Sequence, residues 1–214
     1  MSFTGKLVLR LTQLVFVYGA VFPVAQAQTI ISEVLYDAAG TDNGNVFVEL
    51  FGTPGTVLDG WLLEGVNGSD GSVYRSVSLT GVIPLDGVFV IGDDSGDGSS
   101  LVTGADLVVD VDFQNGPDSI VLRDDGGTLD ALGYGDFTSS IFAGEGMPAV
   151  DALAGSSLAR FNPLVDSDNN QVDFTVLELP TPGSVPVGAV PLPPAAALFL
   201  SGLLGLVGMA RKRC

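Results

Sequence analysis

Short apolar runs separated by turns rich in Gly, Asp and Asn make up the middle of the chain. The runs are rich in Val, Ile, Leu and Phe, which is typical of β-strands. Residues 73–79 alternate strictly, with Val, Arg, Val and Leu on one face and Tyr and Ser on the other. The pattern predicts strands at 29–36, 46–51, 57–66, 73–79, 88–91, 107–111, 119–123 and 129–132, and weaker ones at 157–161 and 172–176.

The spacing of these runs indicates an all-β fold for residues 28–179. No long amphipathic helix is evident there, and parallel strands joined by crossovers need such helices. We therefore predict an antiparallel β-sandwich or barrel. Aromatic residues in the predicted strands are expected to be buried in its core, and these are Phe47, Phe51, Trp61 and Phe89.

The first 27 residues have the pattern of a secretory signal peptide. Two basic residues precede an apolar stretch at 11–24, and Ala25 and Ala27 form a small-residue cleavage site. We expect the Sec translocon and signal peptidase to process residues 1–27, so that the mature chain begins at Gln28. The alternative is an anchor that is not cleaved.

The last 25 residues, 190–214, combine a Pro-rich motif, an uncharged apolar run at 195–210 and a basic cluster. A membrane-spanning helix needs about 17–25 residues, and residues flanking the run can extend it to that length. Basic residues beside a span stay on the cytoplasmic side. We therefore predict a transmembrane helix with the β-domain on the periplasmic side. Residues 180–189 are predicted to be an extended linker rich in Pro, Gly and Val.

This order of features resembles the PEP-CTERM sorting signal of Gram-negative bacteria, in its Val-Pro-Leu-Pro form. The resemblance implies an exosortase as the partner that cuts near the motif, and a final place at the cell surface or outside it. It also implies a setting of extracellular polysaccharide and biofilm. The alternative is a C-terminal anchor that is never cut. The matching residues are Val190, Pro191, Leu192 and Pro193, and then Arg211, Lys212 and Arg213.

The β-region resembles the lamin tail domain. The resemblance implies an immunoglobulin-like antiparallel β-sandwich, which in bacteria occurs on exported proteins. It covers most of residues 30–183. Its motifs are Ile-Ser-Glu at 31–33, Val-Phe-Val-Glu-Leu at 46–50, Leu-Asp-Gly-Trp-Leu at 58–62, residues 78–91, Asp-Ser-Ile-Val-Leu at 118–122 with Asp124, Gly127 and Asp130, and finally 156–160, 173–174 and 181–183.

The 214-residue chain carries a formal net charge of −17, and this charge is unevenly distributed. All 25 acidic residues lie between Glu33 and Glu178, where three arginines give that segment a net charge of −22. A surface this acidic repels phosphate backbones, so we predict no nucleic-acid partner. Two of the arginines, Arg123 and Arg160, are expected to bind carboxylates within the sandwich.

The chain has no histidine, and its single cysteine is the last residue. A Ser-His-Asp triad, a His-ligated zinc site and an internal disulfide are therefore excluded. Glu33 and Glu49 match acidic positions of the lamin tail family, and we interpret them as structural, since buried carboxylates need Arg or backbone N–H partners. A glycosidase-like pair is the alternative, but nothing places them across a cleft. We predict that the protein is not an enzyme and needs no cofactor.

Two oxygen-rich loops have the composition of calcium sites, because calcium takes about six to eight oxygen ligands. The second begins like an EF-hand loop but has Gln171 where Gly is needed and Leu177 where the bidentate Glu belongs. Ordinary turn chemistry, in which Asp bonds its own backbone, is the favoured interpretation. The candidate ligands are Asp93, Asp94 and Asp97 in the first loop and Asp166 and Asp168 in the second.

Together these features predict an exported, non-enzymatic surface or matrix protein whose partner is an extracellular polymer or an envelope protein. The alternative is a calcium-dependent adhesion or carbohydrate-binding module.

Overall fold

The computed structural model describes residues 28–138 and 141–184. Within them, β-strands are the main regular structure, and one four-residue helical turn is the exception. The elements are β1 (Ile30–Leu35), β2 (Phe47–Phe51), β3 (Leu62–Asn67), β4 (Val73–Ser78), β5 (Val88–Gly92), β6 (Leu107–Val108), β7 (Asp118–Asp124), β8 (Gly127–Tyr134), β9 (Ser157–Arg160), α1 (Asn170–Asp173) and β10 (Phe174–Leu177).

The ten strands form two sheets, as expected for an all-β fold. The larger sheet has the order β10-β9-β1-β2-β5-β6, and the smaller sheet has the order β4-β3-β7-β8. The prediction of a purely antiparallel arrangement is wrong at one pair, because β6 lies parallel to β5. This pair needs no crossover helix, since the loop at 93–106 carries the chain back to the edge of β5 and only two residues of β6 then pair.

An apolar core fills the space between the two sheets. Alternate residues of the larger sheet, such as Ile31, Val48 and Leu50, meet residues of the smaller sheet, such as Leu63 and Leu122. Each large apolar side chain buried in this way stabilises the fold by roughly 1.5–3 kcal/mol. The two sheets are therefore held together mainly by apolar packing.

The predicted core aromatics do not all lie between the sheets. Phe89 belongs to the central core, and Trp61 is half-buried against it. Phe47 and Phe51 are buried on the outer face of the larger sheet, where residues such as Val102 cover them. The outer face of the larger sheet is therefore partly covered by other segments of the chain.

Three predicted strands differ clearly from the structure. The run at 107–111 forms a strand only at Leu107–Val108. The run at 57–66 becomes a strand only from Leu62, because Gly60 adopts a positive φ of 87° in the turn before it. The run at 172–176 divides into α1 and β10. The helical turn forms because Asn170 and Asp173 direct their side chains to buried polar partners, and the alternation of a strand would not place both inside.

Among the described residues, no helix combines the length and the apolar character that crossing a membrane requires. The predicted signal peptide with Ala25 and Ala27, and the predicted sorting signal at 190–214, lie outside the described residues.

Candidate functional site

Two glutamates project from the centre of the larger sheet, on the face that points away from the core. Glu33 of β1 lies directly opposite Glu49 of β2 in the antiparallel register. Their strand neighbours Val34, Val48 and Leu50 point into the core, so the alternation of the strands turns both carboxylates outward. Like charges placed opposite each other destabilise a sheet unless other groups compensate.

Hydrogen bonds from the C-terminal part of the domain compensate these two charges. Glu33 accepts bonds from the Thr181 N–H at 2.8 Å, the Thr181 hydroxyl at 2.8 Å and the Ser157 hydroxyl at 2.6 Å. Glu49 accepts bonds from the Gly183 N–H at 2.7 Å and the Ser32 hydroxyl at 2.7 Å. All four carboxylate oxygens are therefore used. We call Glu33 and Glu49 the carboxylate clasp.

The segment held by the carboxylate clasp is a tight turn. The Ser184 N–H donates to the Thr181 carbonyl at 3.0 Å, and Gly183 has a φ of 78°. Pro at the second position and Gly at the third position of a turn suit this geometry, since Pro presets its own φ and Gly tolerates a positive one. The turn presents the N–H groups of Thr181 and Gly183 to the two carboxylates. It forms the first part of the predicted linker, and it lies against the sheet.

The two clasp residues are almost completely inaccessible to solvent. Burial raises the pKa of Glu49 to about 7, and the charge of Glu33 adds to this, although the bonds from Ser32 and Gly183 oppose it. Both glutamates also belong to the lining of the groove that lies over this part of the sheet. The prediction that both glutamates pair with Arg or with backbone N–H groups is confirmed, since each accepts a backbone N–H.

A groove of about 350 Å³ lies beside the carboxylate clasp. Ala159, Thr175 and Leu177, from the outer face of β9 and β10, line it. Phe161 and Pro163 line it as well, and Phe161 is 80% exposed. A large aromatic ring exposed at a concave surface is available to a partner.

A second polar centre surrounds Arg160, at the end of β9. Its side chain is completely buried and contacts three carboxylates: Asp130 at 2.7 Å, Asp173 at 2.9 Å and Asp166 at 3.3 Å. The guanidinium also lies 4.8 Å from the centre of the Phe174 ring. With Glu145, these residues form the Arg160 cluster. The prediction that Arg160 binds carboxylates is confirmed, and Arg123 does so as well, through Glu64 at 2.6 Å.

The carboxyl groups of the Arg160 cluster differ in their electrostatics. Burial raises the pKa of Asp130, although the charge of Arg160 opposes this shift. Burial acts in the same direction at Asp173, but hydrogen bonds from Ser167 and the charge of Arg160 outweigh it and lower the pKa. Burial, together with the charges of Asp130 and Asp166, raises the pKa of Glu145 to about 8. Glu145 therefore holds its proton more strongly than an exposed glutamate does.

The Arg160 cluster contains the acidic group that is geometrically closest to a metal site. One oxygen each from Asp130, Glu145 and Asp166 lie within 4.8 Å of one another. The guanidinium of Arg160 already supplies a positive charge to two of these three residues. Calcium would need about six to eight oxygen ligands, and of the six oxygens that the three carboxylates carry, one each of Asp130 and Asp166 already contacts Arg160.

Four of the five predicted calcium ligands do not join this group. Asp93 accepts the N–H groups of Gly44 and Val111, and Asp94 accepts those of Gly96 and Gly98. Asp97 accepts the N–H and the hydroxyl of Ser99. Each of the three aspartates thus accepts hydrogen bonds from groups in turns and loops. This is the ordinary turn chemistry that the sequence favoured for this loop.

In the second loop, only Asp166 reaches the acidic group. Its neighbour Asp168 has a positive φ of 53° and donates its N–H to the Asp166 carboxylate at 3.2 Å. The structure therefore brings Asp166 together with Asp130 and Glu145, which lie far from it in the sequence.

Sequence reasoning did not identify Asp130, Glu145 and Asp173 as partners of Arg160. One signal was present, since only three arginines accompany 25 carboxylates between Glu33 and Glu178. A buried arginine in such a chain attracts several acids. Which acids these are depends on how β8, β9 and α1 meet in space.

No protein-family model matches this chain, and comparison with the curated proteins and with the solved structures found no match.

Proposed function

We propose that this chain is an exported, non-enzymatic surface protein built on an immunoglobulin-like sandwich of the lamin tail type. Its tail holds it at the inner membrane, and an exosortase then releases it to the cell surface or the exterior. Its partner is an extracellular polymer or another envelope protein. The proposal is supported by the two β-sheets around one core, since a fold of two packed sheets is part of what the lamin tail resemblance implies.

The observation that carries the proposal is the carboxylate clasp. It holds residues 181–183 on β1 and β2, which are the two central strands of the six-stranded sheet. The predicted sorting motif begins only seven residues after Gly183, at Val190. A tether attached there pulls on the middle of the sheet, where strands have hydrogen-bonded neighbours on both sides. Glu33 and Glu49 bind the residues that precede the predicted tail. This use of the two glutamates supports a structural role for them rather than a catalytic one.

The decisive experiment is the intact mass of the protein purified from its native host. A chain that begins at Gln28 and ends between residues 183 and 194 is the expected result. A mass that includes Arg211, Lys212 and Arg213 would refute sorting by an exosortase. A mass that includes residues 1–27 would refute cleavage by signal peptidase.

A second candidate function is carbohydrate binding, which the groove beside the carboxylate clasp favours. Phe161 exposes its ring there, and aromatic faces stack on sugar rings. A glycan array run with and without a calcium chelator tests this candidate. Binding that is lost in the variant Phe161→Ala supports it, and an array without signal in both conditions refutes it.

A further inference from the structure

The groove beside the carboxylate clasp has an uncharged exposed surface, although the chain as a whole is strongly acidic. Three charged residues belong to its lining, but Glu33, Glu49 and Arg160 are all buried and already bonded to other groups. The exposed part of the lining includes the ring of Phe161 and the side chain of Thr175. A concave surface of this kind suits an occupant that is apolar and carries no charge.

The part of the chain that the structure describes ends at this groove. Ser184 is its last residue, and it belongs to the groove lining. The turn at 181–184 reverses the direction of the chain, and Ser184 shares the lining with Thr175 and Leu177 of β10. The residues that follow Ser184 therefore start from the groove itself.

The sequence that follows Ser184 has the composition that the groove requires. Residues 185–193 read Val-Pro-Val-Gly-Ala-Val-Pro-Leu-Pro, which is apolar throughout and contains three prolines and no charge. Pro-rich segments favour the extended polyproline helix, and the domains that recognise such segments do so with grooves lined by aromatic rings. Phe161 provides an exposed aromatic ring in this groove.

The segment is also long enough to cross the groove. Glu49, which binds Gly183, lies on β2, and β1 and β9 separate β2 from β10 in the sheet. Neighbouring strands lie about 4.8 Å apart, so the distance from β2 to β10 is about 14 Å. A polyproline helix rises about 3.1 Å per residue, so about five residues cover this distance. Val190, six residues after Ser184, can therefore reach the side of the groove that β10 forms.

Attachment to the domain favours this segment over other occupants. A short tether gives the segment an effective concentration in the millimolar range at the groove. A free ligand has to displace it. A second copy of the chain has to do the same, and it also has to overcome the repulsion between two acidic domains.

We propose that residues 185–193 lie in the groove beside the carboxylate clasp, with the Pro-Leu-Pro of the predicted sorting motif against the ring of Phe161. The folded domain thereby covers the motif. The consequence for sorting rests on the proposed function, in which an exosortase cuts near Val190. The exosortase then cuts only those chains whose segment has left the groove, and a sugar that binds the groove competes with the segment.

Methyl NMR spectroscopy of the full chain in detergent micelles tests this proposal. The first sample is deuterated except for the rings of Phe and the labelled methyl groups of Val and Leu. Nuclear Overhauser effects are expected between the ring of Phe161 and the methyl groups of Val190 and Leu192, and their absence would overturn the proposal. In a second sample, half of the copies carry only the labelled methyl groups and the other half only the protonated rings. The effects should be missing there, since their presence would mean that another copy fills the groove, which overturns the proposal as well.

Protease sensitivity provides a second readout. The variant Phe161→Ala removes the ring and should leave the fold intact, because this side chain is 80% exposed. Elastase, which cuts after small residues such as Ala189, should cleave within 185–193 at least about fivefold faster in this variant, since cleavage follows the population of the undocked segment. Leu85→Ala is the matched control, because Leu85 is 86% exposed and lies outside the groove lining. Equal cleavage rates in the two variants would overturn the docking of the segment on Phe161.

Docking and sorting can fail separately in these experiments. The intact mass of the native protein reports whether the tail is cut, and the NMR contacts report whether the segment lies in the groove. A cut tail without the contacts to Phe161 would refute docking alone. The contacts in a chain that keeps Arg213 in its native host would refute sorting alone.

Discussion

At the scale of single residues, the contribution of an ion pair to the stability of this protein depends on whether water can solvate a charge that has lost its partner. Arg160 is completely buried, and its partners Asp130 and Asp173 are nearly so. The pair between Arg123 and Glu64 is partly exposed. Buried charges that lose their partner destabilise a fold far more than exposed ones, because no solvent takes over.

The variant Arg160→Leu should therefore lower the free energy of unfolding by about 3–5 kcal/mol, since two buried aspartates lose their partner. Arg123→Leu is the matched control and should lower it by about 1 kcal/mol or less. Urea unfolding of the full chain, followed by tryptophan fluorescence of Trp61, measures both. Equal effects of the two variants would show that burial does not decide the strength of these pairs.

At the scale of elements, segments without regular structure are attached to the sheets by a few polar side chains. The carboxylate clasp holds the turn at 181–184, and Asn170 holds the loop at 143–148. Each attachment satisfies backbone N–H groups that would otherwise be buried without a partner. Losing one attachment should free a segment while the core stays folded.

Glu33→Ala should free the turn at 181–184, because the N–H and hydroxyl of Thr181 and the hydroxyl of Ser157 all lose their acceptor. The expected loss of stability is about 1–3 kcal/mol. Limited proteolysis of the full chain, read by mass spectrometry, should show cleavage between residues 178 and 189 at least about fivefold faster, since exposed and unbonded segments are cut first. Glu178→Ala is the control. Cleavage at equal rates in both variants would mean that the carboxylate clasp does not hold the segment.

Gly144→Ala should detach the loop that carries Glu145. A Cβ at this position would lie 2.5 Å from Asn170 Oδ1, too close for any real contact, and would disturb the backbone of β8 at Gly133. We expect a loss of about 1–3 kcal/mol, as for other overpacked sites. Gly126→Ala is the control, since its Cβ would meet only the side chain of Asp124 in an exposed turn. Thermal unfolding that is equal for both variants would contradict this.

At the scale of the whole molecule, excess negative charge determines how stability responds to pH. The segment from Glu33 to Glu178 carries 25 acids and three arginines. Where burial raises the pKa of an acid, the folded state binds a proton that the unfolded state has released. Stability is then fully present at low pH and is lost as pH rises through the folded-state pKa.

Stability should therefore decline between about pH 5 and pH 8. Glu49 accounts for about 3 kcal/mol of this decline, since its pKa rises from 4.5 to about 7. Below about pH 4 stability should fall again, because Asp173 has a lowered pKa and loses its contribution as it is protonated. The midpoint of urea unfolding, measured from pH 3 to pH 9, tests this. In the variant Glu49→Gln we expect the midpoint to depend less on pH near neutrality. A midpoint that rises steadily up to pH 8 would contradict it.

The sequence by itself determined the fold class and the positions of most strands. The runs at 46–51, 73–79 and 88–91 became β2, β4 and β5 almost unchanged. This was possible because strand formation depends on residue type and alternation, which are local properties. The structural role of Glu33 and Glu49 was also predictable, since a carboxylate within a strand needs partners when it is buried.

Only the tertiary structure decided which groups those partners are. Thr181 lies 148 residues from Glu33 along the chain, and Arg160 lies 30 residues from Asp130. The parallel pairing of β6, the helical turn at α1 and the position of Glu145 beside Asp130 likewise follow from how distant segments meet. Such contacts depend on how all segments of the chain pack together, and a local sequence pattern does not specify this.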